Sequence, residues 1–223
     1  MKNLLISGLG GSLFPYLHNK LKKKFNLYYV DNNNRLKKLY PKYNFFVAPS
    51  VISKKYIPFI LDRINKFKIN YYIPLIDEEL IKAKIKVETN SSAKVISPTA
   101  EFCKISLDKY KLMNTLINND ISKIISYKGN DFKWQIEPPV FVKPIFGRGS
   151  RGIKKINSKK ELEAYYCLFK YQPEDVIIQE YISGSEYTVG VNINNRNEII
   201  SISIKKIIQK KGITQIAITT HNQ

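Results

Sequence analysis

The first thirty residues alternate between short apolar runs and a helical repeat of leucines. Asn3–Ile6 is apolar and predicts a strand, and the glycine-rich stretch at residues 7–12 follows it directly. Leucines then recur at the spacing of one helix face, at Leu13, Leu17 and Leu21. Residues 26–30 predict a second strand, which ends at Asp31. Strand, glycine turn, amphipathic helix and strand together predict a βαβ unit.

The same alternation continues to about residue 100. Short apolar runs predict three more strands, at residues 45–47, 70–74 and 93–96. Between them, apolar side chains at helical spacing predict a helix over residues 56–67. Strands that alternate with helices are typical of a doubly wound parallel sheet, so we predict a Rossmann-like first domain over residues 1–98.

The pattern changes at Pro98, where we place the boundary of a second, α+β domain over residues 99–223. Thr99 is a candidate N-cap for a helix from Ala100, and another helix is predicted over residues 106–117. A third, residues 158–170, begins with a capping box of Ser158 and Glu161. The rest is β-prone, at residues 121–127, 133–136, 140–143, 153–157, 176–181, 188–193, 198–208 and 212–219, with a basic turn at Gln209–Lys211 before the last run.

The glycine turn and Asp31 resemble the start of a dinucleotide-binding domain. In such a domain, glycines admit a pyrophosphate at a helix N-terminus, and the acidic residue binds a ribose. The G-x-G-x-x-G pattern lacks a member here, because Gly8, Gly10 and Gly11 are followed by no glycine at the third place. We therefore favour a tight turn without a cofactor.

A second acidic feature, Asp77-Glu78-Glu79, opens a helix directly after a strand. These carboxylates either cap that helix or line the crevice at the carboxyl ends of the strands, where open α/β sheets bind ligands. Capping is the commoner role.

Composition narrows the class of protein. A chain of 223 residues with 43% hydrophobic content can bury the core of one large or two small domains. Glycines break the apolar N-terminal run at once, and no stretch approaches the roughly 20 apolar residues of a spanning helix, so we predict neither a signal peptide nor a membrane partner. Two distant cysteines, Cys103 and Cys167, and two histidines, His18 and His221, argue against a disulfide framework or zinc site and fit a reducing cytoplasm.

The net charge of +19 raises the question of a nucleic-acid partner. The lysines, however, are scattered through segments such as KLKKK, RLKK and IKKI and do not gather with aromatic residues into one stripe. A dedicated nucleic-acid role is therefore disfavoured. Any bound metal would be a hard cation held by carboxylates and phosphate.

The most specific chemistry lies in VFVKPIFGRGSRGI, residues 140–153. A β-prone run presents Lys143 just before a loop whose glycines let backbone N–H groups approach an anion, at Gly147, Gly149 and Gly152. Ser150 adds a hydroxyl donor, and Arg148 and Arg151 add positive charge. Because the lysine precedes the glycines, this is not the P-loop pattern. We interpret it as a hairpin that folds over a nucleotide; the alternative is a surface hairpin with a solvated basic tip.

The order of these features resembles the ATP-grasp superfamily, most closely the members like the carbamoyl-phosphate synthase large subunit, which carry a preceding Rossmann-like domain. The resemblance covers nearly the whole chain and rests on GLGGSL, YYIPLIDEEL, SLDKYKL, FVKPIFGRGSRGI and IIQEYISGSEYTVGV in that order. It implies α/β then α+β architecture: a Rossmann-like parallel sheet followed by a partial ATP-grasp domain.

The resemblance also implies roles for single residues. Lys109 and Lys143 match lysines that contact the phosphates of ATP, and the loop from Gly147 to Gly152 matches one that closes over them. The segment of Glu180, Tyr181 and Ile182 matches the residues that frame the adenine, and Glu186 matches the acid that holds the ribose hydroxyls. Without that context each glutamate would be interpreted as a solvated turn residue.

The activity implied is ATP-dependent ligation of a small-molecule carboxylate to an amine through an acylphosphate, with Mg²⁺ in the complete enzyme. In the family, further strands and helices carry the metal ligands. After Glu186 the acidic residue present here is Glu198, in the predicted turn from Asn195. We therefore assign no metal ligand and no catalytic residue, and we expect a truncated or split enzyme.

Three hypotheses follow. The first is an ATP-grasp ligase that needs the remainder of its domain. The second is a non-catalytic nucleotide-binding module that works with a partner chain or as a homodimer. The third is a basic nucleic-acid-binding protein, which would retain RNA or DNA in a strongly salt-dependent way.

Overall fold

The computed structural model describes residues 1–11, 13–194 and 196–220 and separates the chain into two compact units, Met1–Leu107 and Asp108–Gln223. Ser12 of the predicted glycine turn, Asn195 of the predicted hairpin turn and His221 lie outside the described residues. The division falls later than the boundary that we place at residue 98, because a helix over Ala100–Ser106 belongs to the first unit.

The first unit alternates strands and helices. Its strands are β1 (Lys2–Ser7), β2 (Phe25–Asp31), β3 (Asn44–Val47), β4 (Tyr71–Ile73) and β5 (Lys94–Val95). Its α-helices are α1 (Phe14–Leu21), α2 (Arg35–Leu39), α3 (Tyr56–Lys66), α4 (Asp77–Lys82), α5 (Glu88–Asn90) and α6 (Ala100–Ser106), with a π-helical turn at Ala83–Val87. The strands pair in parallel in the order β3-β2-β1-β4-β5.

Both faces of this parallel sheet are covered, which explains why its strands are apolar on both sides. One face, with Leu5 and Tyr72, packs against Ile60 of α3. The opposite face, with Leu4, packs against Phe14 of α1. The Rossmann-like, doubly wound layer expected from the alternating pattern is confirmed.

The second unit contains two antiparallel sheets. Its elements are α7 (Lys109–Asn118), β6 (Ser126–Lys128), β7 (Val140–Pro144), β8 (Lys154–Ile156), α8 (Lys159–Phe169), a 3₁₀ turn at Pro173–Asp175, β9 (Val176–Glu180), β10 (Tyr187–Ile193), β11 (Ile199–Lys211) and β12 (Ile213–Thr220). One sheet has the order β6-β9-β7-β8 and the other the order β10-β11-β12. The predicted α+β character of this half, and the hairpin of β7 and β8, are confirmed.

The β10-β11-β12 sheet has one apolar and one polar face. Across the β10–β11 register, Val189 lies opposite Ile204 and Val191 opposite Ile202, whereas Gly190 faces Ser203 on the other side. Several apolar side chains of the first face remain about half exposed, namely Tyr187, Val189, Val191, Ile202, Ile216 and Ile218.

Three local predictions in the second unit are wrong. Residues 133–136 form no strand, because the chain turns at Trp134 with a positive φ of 61° and packs its ring on Phe132. Of residues 121–127, only the end is strand, as part of β6. The basic segment Gln209–Lys211 belongs to β11, and the chain reverses at Gly212.

Helix α8 begins as expected in part. The hydroxyl of Ser158 accepts a hydrogen bond from the Glu161 N–H at 3.2 Å. The Glu161 carboxylate, however, accepts from the N–H of Asn157 at 2.8 Å, one residue before the cap. The predicted capping box therefore has its first hydrogen bond, whereas its second is accepted from the N–H of Asn157 and not from that of Ser158.

Candidate functional site

The carboxylate of Asp31 in the first unit is used within the fold. Its two oxygens accept from the N–H groups of Gly10, at 3.0 Å, and Asn33, at 2.9 Å. The Gly8 N–H in turn donates to the carbonyl of Val30 at 3.0 Å. These contacts fit the tight-turn interpretation of the glycine stretch.

Glu79 is fully buried in the first unit, and its carboxylate accepts hydrogen bonds from several directions. Ser7 of β1, Tyr56 of α3 and Tyr72 of β4 donate their hydroxyls to it. The N–H of Ile76, at the start of α4, donates at 3.1 Å. Glu79 thus caps α4, as expected for the commoner role, and also ties three distant elements together.

This network should make the first unit less stable at alkaline pH. Burial, reinforced by the charge of Glu79, raises the pKa of Tyr56 and of Tyr72 well above the ordinary value near 10. Because the folded pKa is raised, the stabilisation is complete below about pH 10 and is lost as the pH rises further. We expect the free energy of unfolding to fall above pH 10 by about 1.4 kcal/mol per pH unit for each such tyrosine.

Urea denaturation between pH 8 and 11 measures this effect. The variant Tyr56→Phe should show a shallower decline than the wild type, whereas Tyr16→Phe, at a side chain that is 60% exposed, should not. Equal slopes for the two variants would contradict the prediction.

The second unit gathers the predicted phosphate-binding residues at the foot of the glycine loop. Lys109 begins α7, and its ammonium group donates to the carbonyls of Ile145, at 3.3 Å, and Gly147, at 2.8 Å. Burial, and then the charge of Lys109, lower the pKa of Lys143 on β7. The two positive charges therefore repel each other, and a bound anion would offset that repulsion.

The face of the sheet that carries Lys143 is defined by alternation along β7. Val140 and Val142 point into the core beneath α8, so Phe141 and Lys143 lie on the opposite face. Lys155 of β8 lies opposite Phe141 on this face. Alternation therefore places one aromatic ring and two lysines on the face that the prediction assigns to the nucleotide.

The glycine loop is anchored at its far end. Gly152 has a positive φ of 70°, and a Cβ there would lie 3.0 Å from the ring of Tyr171. Its carbonyl accepts from the hydroxyl of Tyr165 at 2.7 Å. Ser150, at the tip, also adopts a positive φ, of 57°. Arg148 and Arg151 are exposed on this loop.

The segment predicted to frame an adenine divides between two faces. Glu180 ends β9 opposite Val140, so its side chain lies on the face away from Lys143. Tyr181 packs its ring 6.3 Å from that of Phe141, and the ammonium of Lys155 lies 4.3 Å from its centre. Ile182 is 60% exposed.

Glu186, the predicted ribose ligand, forms an ion pair in this structure. Its carboxylate lies 2.5 Å from the ammonium of Lys210, near the end of β11. We did not predict Lys210, Phe141 or Lys155 as site residues. Phe141 could have been found, because it precedes Lys143 by two positions on a strand; Lys210 meets Glu186 only through the pairing of β10 with β11.

The described carboxylates do not fit a magnesium site. After Lys143 the candidates near the β10-β11-β12 sheet are Glu186, which pairs with Lys210, and Glu198, which accepts from the amide of Asn194 at 2.6 Å within a turn. Across the part of the chain that the structure describes, no group of three or more His, Cys, Asp or Glu side chains could hold a metal ion.

Comparisons with known proteins agree with this architecture. The family model described as D-ala D-ala ligase C-terminus matches residues 105–220, and the model described as PylC-like, N-terminal domain, matches residues 4–96. A D-alanine–D-alanine ligase of Flavobacterium johnsoniae is 30% identical over 112 residues, which are 47% of this chain and 34% of that protein. One of Corynebacterium aurimucosum is 43% identical over 53 residues, 24% of this chain and 15% of that protein.

Solved structures show the same fold at low sequence identity. The L-amino acid ligase from Bacillus licheniformis has a TM-score of 0.74 and 14% identity, and the match covers 100% of this chain and 55% of that one. N5-carboxyaminoimidazole ribonucleotide synthetase from Thermus thermophilus has a TM-score of 0.73 and 14% identity, over 96% of this chain and 57% of that one. The chain thus spans about half the length of these structures. Because the family model described as D-ala D-ala ligase C-terminus matches more than half of its residues, the chain belongs to that family, which is part of the ATP-grasp superfamily.

Proposed function

We propose that this chain binds ATP through its second unit and supplies the nucleotide-binding part of an ATP-dependent carboxylate–amine ligase. One observation carries the proposal: the Lys109 ammonium group donates to the carbonyls of Ile145 and Gly147 at the foot of the glycine loop, and burial, followed by the charge of Lys109, lowers the pKa of Lys143 on the strand that leads into that loop. A triphosphate would offset that repulsion. The family match and the ligase names of its relatives support the reaction class.

In the proposed site each element has one task. Lys109 and Lys143 bind phosphate oxygens, and the loop from Gly147 to Gly152 covers them with backbone N–H groups. Tyr181, beside Phe141, offers an aromatic surface to the adenine, and Glu186 accepts from the ribose hydroxyls. Arg148, Arg151 and Ser150 contribute charge and a donor at the loop.

The proposed reaction needs no nucleophile from the protein. A carboxylate oxygen of the substrate attacks the γ-phosphorus, the bond to the bridging oxygen of ADP breaks, and an acylphosphate results. An amine then attacks the acyl carbon and releases inorganic phosphate. The two lysines would offset the negative charge on the transferred phosphoryl group.

We also propose four further properties of this protein. It resembles carbamoyl-phosphate synthase more closely than other ATP-grasp enzymes, it uses Mg²⁺ as a cofactor when the enzyme is complete, it is located in the cytoplasm, and it works with a partner chain or a second copy of itself. The unpaired thiols of Cys103 and Cys167 agree with the proposed location. In the described residues, no helix is both long and apolar enough to cross a membrane.

Titration of the full chain with ADP, with and without Mg²⁺, tests the proposed function. We expect weak but measurable binding that changes little with the metal, because the described carboxylates form no metal cluster. Lys109→Met should weaken ADP binding about tenfold through the lost charge-assisted contact. Lys111→Met, which removes the same charge two residues along α7, should not.

Two results would overturn the proposal. The first is a wild-type chain that binds no adenine nucleotide at low salt. The second is equal weakening by Lys109→Met and Lys111→Met, since that would show a general effect of charge and no defined site.

A further inference from the structure

The end of the β11–β12 hairpin touches two separate parts of the proposed nucleotide site. Lys210 lies there and pairs with Glu186, the proposed ribose ligand, at 2.5 Å. Two residues on, Gly212 turns the chain with a positive φ of 73°, and a Cβ at this position would lie 3.1 Å from the carbonyl oxygen of Gly149 in the glycine loop. The last residues of β11 and the turn after them therefore lie against both the carboxylate of Glu186 and the glycine loop.

The strand is irregular at the residues that carry this contact. The β11–β12 register shifts between Ile207 and Gln209 and again between Gln209 and Lys210. Such bulges bend a strand and redirect a side chain, and they are frequent beside active sites. Here the double irregularity lies immediately before the lysine that meets Glu186.

Glu186 itself is fixed by its backbone and open at its side chain. Its carbonyl accepts from the N–H of Ile207 at 2.8 Å, which extends the ladder between β10 and β11 by one residue. Its side chain remains 53% exposed, and that of Lys210 37% exposed. An ion pair this accessible to water contributes little to stability, so a competing ligand can separate it.

We propose that Lys210 is an exchangeable cation of the nucleotide site, which pairs with Glu186 when the site is empty and moves to the phosphates when a nucleotide binds. This inference rests on the proposed function. The ribose hydroxyls donate to Glu186 and displace the ammonium group. The freed ammonium group belongs to a residue of β11 that lies two positions before Gly212, where the chain turns beside the glycine loop. A lysine stem is long and flexible enough to reorient from there toward the phosphates.

The proposal predicts opposite effects on two ligands that share the ribose. Adenosine must displace Lys210 from Glu186 and gains nothing in return, because it has no phosphate. ADP displaces the same ion pair but recovers a contact with the freed ammonium group. Removing the lysine should therefore help adenosine and harm ADP, a pattern that a purely structural role would not produce.

The experiment compares Lys210→Met with the wild type by calorimetric titration of ADP and ligand-observed NMR titration of adenosine. We expect ADP binding to weaken about tenfold and adenosine binding to stay equal or become up to a few-fold tighter. Lys211→Met is the matched control, since it removes the same charge from the next position, which points to the other side of the strand. It should change neither ligand more than about twofold by general charge effects.

The outcomes separate this inference from the function on which it rests. If the wild type binds neither ligand, the proposed function fails and this inference fails with it. If ADP binds and Lys210→Met weakens both ligands equally, or changes neither, the exchange is refuted while the nucleotide site stands. Unchanged far-UV circular dichroism and melting temperature show that the variants are folded, as expected for an exposed side chain.

Discussion

Replacing Glu79 with leucine should lower the free energy of unfolding of the first unit by about 3–5 kcal/mol. The carboxylate is fully buried and accepts the hydroxyls of Ser7, Tyr56 and Tyr72. Leucine fills a similar volume but accepts no hydrogen bond, so these donors lose their acceptor inside the core. An unsatisfied buried donor costs about 1–3 kcal/mol. The loss stays below the sum for three donors, because the hydroxyls of Tyr56 and Tyr72 lie 3.2 Å apart and can bond to each other.

Glu78→Leu is the matched control for this substitution. Glu78 carries the same charge one residue earlier, in the first turn of α4, but is exposed, so its replacement should lower the free energy of unfolding by no more than about 1 kcal/mol. Glu79→Gln keeps an acceptor oxygen and should lie between the two. If Glu79→Leu proves no less stable than Glu78→Leu, the network does not hold the first unit together.

The single tryptophan of the sequence can show which of the two units is destabilised by Glu79→Leu. Trp134 belongs to the second unit, so its fluorescence follows that unit, while far-UV circular dichroism follows both. We expect the urea midpoint by circular dichroism to fall for Glu79→Leu and the midpoint by Trp134 fluorescence to stay unchanged. An equal fall in both would contradict an effect confined to the first unit.

The parallel layer could be predicted because its strands are buried on both sides. A run such as Leu4–Ile6 is apolar throughout, and the glycines after it mark where it must end. Helix α3 was equally clear, since Tyr56, Ile57, Ile60 and Ile64 repeat on one face and are all buried. The type of an element could therefore be predicted wherever the periodic apolar positions in the sequence are the ones that are buried in the structure.

Only one of the two roles of Glu79, the helix cap, could be predicted from the sequence. Its place after a strand indicates a helix cap, and the bond from the N–H of Ile76 agrees. The hydroxyls that allow its burial come from β1, α3 and β4, up to 72 residues away in the chain. No local sequence pattern predicts that these side chains meet at Glu79, because each of them alone resembles an ordinary tyrosine or serine of a protein core.

The candidate site shows the same division between local and distant information. Lys143 and the glycines occur within one hairpin, so their chemistry is visible in ten consecutive letters, KPIFGRGSRG. The contact of Lys210 with Glu186 depends on register shifts within β11, which side-chain alternation alone does not predict. The aromatic segment around Trp134 misled the prediction, because rings favour strands in general and here pack into the core from a turn.

Reversing the charge of Lys143 should have the largest effect on nucleotide binding. Burial, and then the charge of Lys109, lower the pKa of Lys143, so its ammonium group would interact with an anion in a medium less polar than water. In Lys143→Glu a favourable charge contact becomes a repulsive one. We expect ADP affinity to fall at least about 100-fold, or about 2.7 kcal/mol, and adenosine affinity to change less than about threefold.

Lys154→Glu is the matched control, because it makes the same reversal on the partner strand of the same hairpin. Lys154 lies opposite Val142, so it projects to the face of the sheet away from Lys143. A site built on the Lys143 face predicts that ADP affinity responds to position 143 and changes only slightly at position 154. Equal losses at both positions, or a parallel loss of adenosine binding in Lys143→Glu, would mean that net charge or folding governs the interaction and that Lys143 does not contact the phosphates.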